Sequence, residues 1–213
     1  MTPLRKKADA IRKILRAAYP DVNTALTHRN AFELLVATIL SAQTTDRQVN
    51  SVTGALFQRF PTPTDLVAAP LREVEALIRP TGFFHNKARN IKACAKALAE
   101  QHNSQVPGRL EALIQLPGVG RKTANVVLGT AFGIPGVVVD THVKRITGRL
   151  GLTENTDPVK IEYDLMAIVP KRAWNALGLQ LIHFGRDICH ARNPACPDCP
   201  LKRLCSYPNK TES

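Results

Sequence analysis

The sequence predicts an all-α fold. Apolar residues recur at i, i+3, i+4 and i+7 in nearly every segment, the spacing of amphipathic helices. Cap residues and prolines bound those segments where helices start and stop. The one strand-like run, Val137-Val138-Val139, is too short to pair into a sheet and reads as extended chain entering a helix.

Ile11, Ile14, Leu15 and Ala18 mark a first helix, which Pro20 ends. Asn30 with Glu33 has the spacing of a capping box ahead of Phe32 to Val36. Thr45 with Gln48 has it again, ahead of Val49, Val52, Leu56 and Phe60. The small polar stretch Ser41 to Asp46 between these helices reads as a loop. Pro61, Pro63 and Pro70 punctuate one or two short helices. Gly82 then separates Leu77-Ile78 from a longer helix containing Ile91, Cys94, Ala95 and Leu98. Cys94 shares that apolar face, so it is a packing residue. Phe83 and Phe84 follow the glycine, a pattern that usually belongs to a core.

Leu110, Leu113 and Ile114 place one face of a helix over Arg109 to Gln115, and a further helix runs from near Gly120 to about Phe132. Asp140 stands at the N-cap of Thr141 to Leu150. Asp157-Pro158 supplies a cap and first-turn proline ahead of Ile161, Leu165 and Ile168. A last long helix runs from about Lys171 to Asp187. There is no repeat and no low-complexity linker.

A chain of 213 residues has room for one large or two small domains. Its 29 Lys and Arg outweigh 17 Asp and Glu, giving a formal charge of +12. That imbalance favours a polyanionic partner. A generally basic, solvated surface is the plain alternative, but the distribution argues against it. From Pro117 to Arg149 the cations are Arg121, Lys122, Lys144, Arg145 and Arg149, and Asp140 is the only acid. Arg5, Lys6 and Lys7 precede no apolar run, which argues against a secretory signal, and no segment is long enough to span a membrane. Five cysteines, an odd number, without a signal point to a reducing intracellular compartment and to metal ligation rather than disulfides.

The stretch Leu116-Pro117-Gly118-Val119-Gly120-Arg121-Lys122-Thr123-Ala124 joins two helices through two glycines and a proline. Glycine admits a positive φ and close approach of another backbone. Amides near Gly118 and Gly120 are then left at a helix N-terminus, a site for an anion such as phosphate. Arg121 and Lys122 add charge. A nucleotide P-loop is excluded by spacing, because four residues must separate its first glycine from the Gly-Lys-Ser/Thr. A tight turn with two exposed cations is the bland reading.

These residues resemble the helix–hairpin–helix of the DNA glycosylase superfamily, and Val139-Asp140-Thr141-His142-Val143 resembles its Asp-bearing segment. With the terminal cysteines, the resemblance extends over nearly the whole chain and is to the endonuclease III branch. It implies two helical lobes with a cleft between them: residues 24–134 carrying the hairpin, and a discontinuous lobe of residues 1–23 and 135–213. It implies a bifunctional DNA glycosylase/AP lyase of base-excision repair. Such an enzyme removes oxidised pyrimidines from double-stranded DNA, acts on abasic sites, and works as a cytoplasmic, nucleoid-associated monomer with no membrane partner. A superfamily glycosylase of different base specificity and a non-catalytic DNA-binding module are the rival readings.

By the same resemblance Lys122 attacks the sugar C1′ as the damaged base leaves, and the imine permits elimination of the 3′ phosphate. A lysine must be neutral to attack, and at a pKa of ~10.4 only about one in 2,500 is neutral at pH 7. The helix dipole, Arg121 and partial burial would each raise that fraction. A plain phosphate contact is the alternative role for Lys122. Asp140 stabilises charge on the electron-deficient sugar and assists proton movement; its alternative role is the helix cap, and one residue can serve both. Gly118, Gly120, Arg121, His142 and Arg192 fall in DNA-contacting positions. The Ser41–Thr44 loop and the Gly82–Phe84 turn match the two loops that enter the duplex. Gln43 would meet the orphaned partner base, and Phe83, where a leucine is expected, would wedge into the stack.

Cys189, Cys196, Cys199 and Cys205 form the pattern C-x6-C-x2-C-x5-C, a strong metal signal. They do not form two matched C-x2-C knuckles, yet on pattern alone zinc stays open. The resemblance implies a [4Fe–4S] cluster held by the four thiolates. Pro194, Pro197 and Pro200 restrict the loop, and Arg186, Arg192, Lys202 and Arg203 give it a charge suited to DNA phosphates.

Overall fold

The computed structural model describes residues 2–211, in which eleven α-helices and three 3₁₀ turns make up the regular structure and no strand occurs. No helix among the described residues is long and apolar enough to cross a membrane. Two compact units divide the chain. One is Thr24–Ile134; the other combines Met1–Asn23 with Pro135–Ser213.

The continuous unit holds α2 (Ala31–Leu40), α3 (Asp46–Arg59), α4 (Pro63–Ala68), α5 (Leu71–Ile78), α6 (Phe84–Gln101), α7 (Leu110–Leu113) and α8 (Arg121–Ala131). Helix α2 is buried from Phe32 to Leu40 and forms the centre of the core. It packs on α8, while α6 packs on α4 and α5. Cys94 lies in this core with no exposure, and burial pushes its thiol up to about 12. Asn30 and Thr45 cap α2 and α3 as their spacing predicts. The return half of each box is not made. Glu33 reaches past Asn30 to the Arg29 N–H at 2.7 Å, and the Gln48 amide donates to Ser51. The reciprocal box forms instead at Thr62 and Asp65, opening α4.

The discontinuous unit holds α1 (Pro3–Ala18), α9 (Thr141–Arg149), α10 (Pro158–Ile168) and α11 (Trp174–Asp187). Ala8, Ile11 and Leu15 of α1 pack with α10 and α11. Val137, Val138 and Val139 are buried extended chain leading into α9. Helix α11 begins later than Lys171, because Pro170 is followed by a 3₁₀ turn over Lys171–Ala173. Helices α9 and α11 touch closely at Gly185: a Cβ there would lie 2.6 Å from Nδ1 of His142 and 2.9 Å from Cδ1 of Ile146.

Candidate functional site

The hairpin is built on three buried anchors, Leu113, Leu116 and Val119, which fix its turn to the core. Regular helix stops at Leu113, short of the expected Gln115. Gln115, Leu116 and Val119 close onto carbonyls three residues back. The cause is Pro117, which has no N–H and disfavours helical backbone in the residue before it. Gly118 turns the chain at a φ of 76°, and a Cβ there would lie 3.0 Å from the Cβ of Asn90 on α6. Gly120 occupies the N-cap of α8 with open space around it and no side-chain cap. The start of α8 therefore faces outward uncapped, and a phosphate can approach it closely.

Lys122 is the second residue of α8 and is exposed. The partial burial expected for it does not occur within this chain, because Ala124, Val127 and Leu128 take the core-facing positions of α8. Among the described residues it makes no hydrogen bond or ion pair, so its amine is available to an electrophile. Arg121 precedes it and is half-buried.

Gln43 and Phe83 share an unusual backbone. Both are exposed, and both are left-handed, with φ of 53° and 47°. Residues with a Cβ rarely adopt that region. Phe83 is 67% exposed, so the core role suggested by paired aromatics is wrong for it; Phe84 alone packs against the core. The reason is positional: Phe83 sits in the N-cap turn of α6, and α6 directs the next residue inward.

Beneath them lies Lys87, 5% exposed. Its amino group donates to Oγ1 of Thr44 at 2.7 Å and to the Thr81 carbonyl at 2.8 Å. Burial lowers its pKa from the usual lysine value. Sequence reading missed it, although a signal was present: Lys87 stands four residues before Ile91, on the apolar stripe of α6.

In the other unit Asp140 caps α9, its Oδ1 accepting from the Val143 N–H at 2.9 Å. The His142 ring rests against Gly185 with Nδ1 3.1 Å from the Arg145 guanidinium. Burial first, then Arg145 and Arg186, lower its pKa, while Asp140 opposes them.

Two of the five cations counted from Pro117 to Arg149 have internal roles. Arg145 donates to the carbonyls of Cys189 and Gly185, at 2.7 and 3.2 Å. Arg149 donates to the His190 and Ala191 carbonyls and reaches Sγ of Cys189 at 3.3 Å, beneath the Tyr207 ring. Both hold the cysteine loop to α9 rather than facing solvent. Arg192, Lys202 and Arg203 are exposed on that loop.

Cys189, Cys196, Cys199 and Cys205 line one cavity, with apolar walls that include Ile146, Phe184 and Leu201. Burial pushes the Cys199 thiol up; the other three cysteines add to this and a backbone hydrogen bond at Leu201 opposes it. Among the described residues no three His, Cys, Asp or Glu side chains are gathered closely enough for a single metal ion.

Known proteins share this fold. Residues 36–171 match the HhH-GPD superfamily of base excision DNA repair proteins. The chain is 50% identical to an endonuclease III of Synechocystis sp., over 96% of this chain and 94% of that protein. A solved non-covalent endonuclease III–DNA complex superposes with a TM-score of 0.91 at 45% identity, covering 96% of this chain and 95% of that one. A trapped endonuclease III–DNA covalent intermediate, described as an estranged-adenine complex, also superposes at 0.91 and 45%, covering 96% of each chain.

Proposed function

The chain belongs to the HhH-GPD superfamily of base excision DNA repair proteins, and from this we infer that it is a DNA glycosylase and AP lyase that removes oxidised pyrimidines from duplex DNA. The observation that carries the reading is Lys122: an exposed amine without a partner among the described residues, directly after the uncapped start of α8. Similarity to a protein trapped covalently on DNA supports it.

The chemistry follows from these groups. Phosphate is held by the amides at Gly118 and Gly120 and by Arg121, with the helix dipole favouring the anion. Neutral Lys122 attacks C1′; its nitrogen bonds to that carbon as the C1′–base bond breaks. The base leaves with the bonding pair and takes up a proton. The Asp140 carboxylate stabilises positive charge developing on the sugar. Ring opening yields an imine, loss of a C2′ proton follows, and the C3′–O bond breaks to release the 3′ phosphate. Gln43 and Phe83 fill the space left by the extracted nucleotide, whose unstacking costs a few kcal/mol. His142 and Arg192 contact the DNA backbone. The enzyme acts as a monomer in a reducing compartment, on DNA rather than at a membrane.

The four cysteines line one cavity with apolar walls, and a [4Fe–4S] group held by four thiolates fits that lining. Bound there, the cluster would cross-link the loop, which Arg145 and Arg149 already tie to α9, and so keep Arg192, Lys202 and Arg203 in place for phosphates.

Borohydride trapping tests the reading. Wild-type protein should form a covalent adduct on duplex containing thymine glycol, with less on 8-oxoguanine or uracil. Lys122→Gln should form none while keeping most of its DNA affinity. Undiminished trapping by that variant would place the nucleophile elsewhere, and no trapping by wild type would leave a binding module.

A further inference from the structure

Among the described residues Lys87 is the only buried lysine. Among those residues no carboxylate partners it. Its amino group bridges two segments far apart in sequence: Thr44, next to Gln43, and Thr81, two residues before Phe83. The Thr44 hydroxyl also donates to the Thr81 carbonyl, so one amine, one hydroxyl and one carbonyl close a triangle. Both residues flanking the triangle keep left-handed backbone. Such conformations persist only where the surroundings over-determine them.

A core position does not need this lysine. An apolar side chain would continue the stripe of Ala88, Ile91 and Cys94 without desolvating an amine. The depressed pKa shows that the site pushes against the charged form. What the lysine provides, and an apolar residue cannot, is the bridge between the two loops. One turn further along α6, Asn90 packs beneath Gly118. A single helix thus carries the bridge and the seat of the phosphate-binding turn.

We propose that Lys87 is a positioning residue for base extraction: its buried amino group locks the Gln43 loop to the Phe83 turn, so that both side chains enter the duplex as one rigid body. This rests on the duplex-entering reading of Gln43 and Phe83 given above. Lys87 touches neither DNA nor the reacting atoms. Loss of the bridge lets each loop relax separately, and the space behind the extracted nucleotide is then filled late or not at all.

The test uses Lys87→Met, which keeps length and loses the donors, and Thr44→Val, which removes the acceptor hydroxyl and keeps shape. Each is measured on thymine glycol in duplex DNA and on an abasic site in single-stranded DNA, where no partner base has to be displaced. Circular dichroism confirms folding, and 2-aminopurine opposite the lesion reports stack opening. Both variants should lose about tenfold or more in duplex turnover, with a weaker 2-aminopurine signal. Single-strand lyase rates should stay within about twofold. In a Gln43→Ala/Phe83→Ala background the Lys87→Met loss should vanish, because the bridge then has nothing to position. Wild-type duplex turnover in folded Lys87→Met or Thr44→Val overturns the proposal. So does an equal loss on single-stranded DNA, or a loss that persists in the Gln43→Ala/Phe83→Ala background. If Gln43→Ala/Phe83→Ala itself turns over duplex damage normally, the wedge reading has failed and the bridge with it. A loss there, with none in Lys87→Met, removes the bridge alone.

Discussion

Replacing Phe83 separates a duplex wedge from a packing residue, and the structure sets the magnitudes. Phe83 is 67% exposed, so about a third of its surface is covered. A phenylalanine buries ~150–250 Å² when enclosed, so roughly 50–80 Å² is covered here. At ~25 cal/mol per Å² this contributes about 1–2 kcal/mol. Truncation of a core phenylalanine costs about 3–5 kcal/mol instead. Its φ of 47° adds a second lever. A residue with a Cβ is strained there by about 1–2 kcal/mol, which alanine retains and glycine relieves. Phe83→Ala should therefore lower the melting temperature by about 2–8 °C, at ~2–4 °C per kcal/mol for a chain of this size. Phe83→Gly should melt close to wild type, because relief of strain offsets the lost packing. Both should lose duplex-lesion turnover while keeping lyase activity on single-stranded abasic DNA. The assays are calorimetric melting and single-turnover cleavage on paired and unpaired substrates. Full duplex turnover by both variants would refute the wedge. A drop of more than about 10 °C for Phe83→Ala would show a buried ring, contrary to its exposure.

Asp140→Asn should slow base removal with little change in melting, since asparagine accepts from the Val143 N–H nearly as well; Asp140→Ala should add a stability loss of about 1 kcal/mol. Normal turnover by the asparagine variant would reduce Asp140 to a cap. Anaerobically prepared protein should be yellow-brown with about four irons per chain, and stoichiometric zinc without iron in elemental analysis would overturn the cluster assignment. Gly185→Ala should destabilise the protein by about 1–3 kcal/mol despite alanine's better helix propensity, because its Cβ would overlap the His142 ring. An unchanged melting curve would mean that α9 and α11 can separate at no cost.

Much of this protein follows from local sequence. The all-α class comes from the spacing of apolar side chains, which acts over a few residues. The starts of α2, α3, α9 and α10 follow from Asn30, Thr45, Asp140 and Asp157, whose side chains satisfy amides within the next turn. Cys94 was legible as core from its place on a stripe. The hairpin was legible because glycine and proline act on their own backbone, and the four cysteines because they lie close along the chain. What tertiary structure decided are the partners that no local pattern encodes. Lys87 reads as a misplaced charge until Thr44, 43 positions away, accepts from it. Arg145 and Arg149 read as DNA-facing cations until their guanidiniums meet carbonyls of the cysteine loop, 40 or more positions away. Phe83 reads as core until α6 begins one residue later and turns Phe84 inward in its place. Helix periodicity tells which side of a segment seeks the interior. It does not tell which carbonyl a long side chain finds there, because that depends on where other segments end, and only the packed chain brings those ends together.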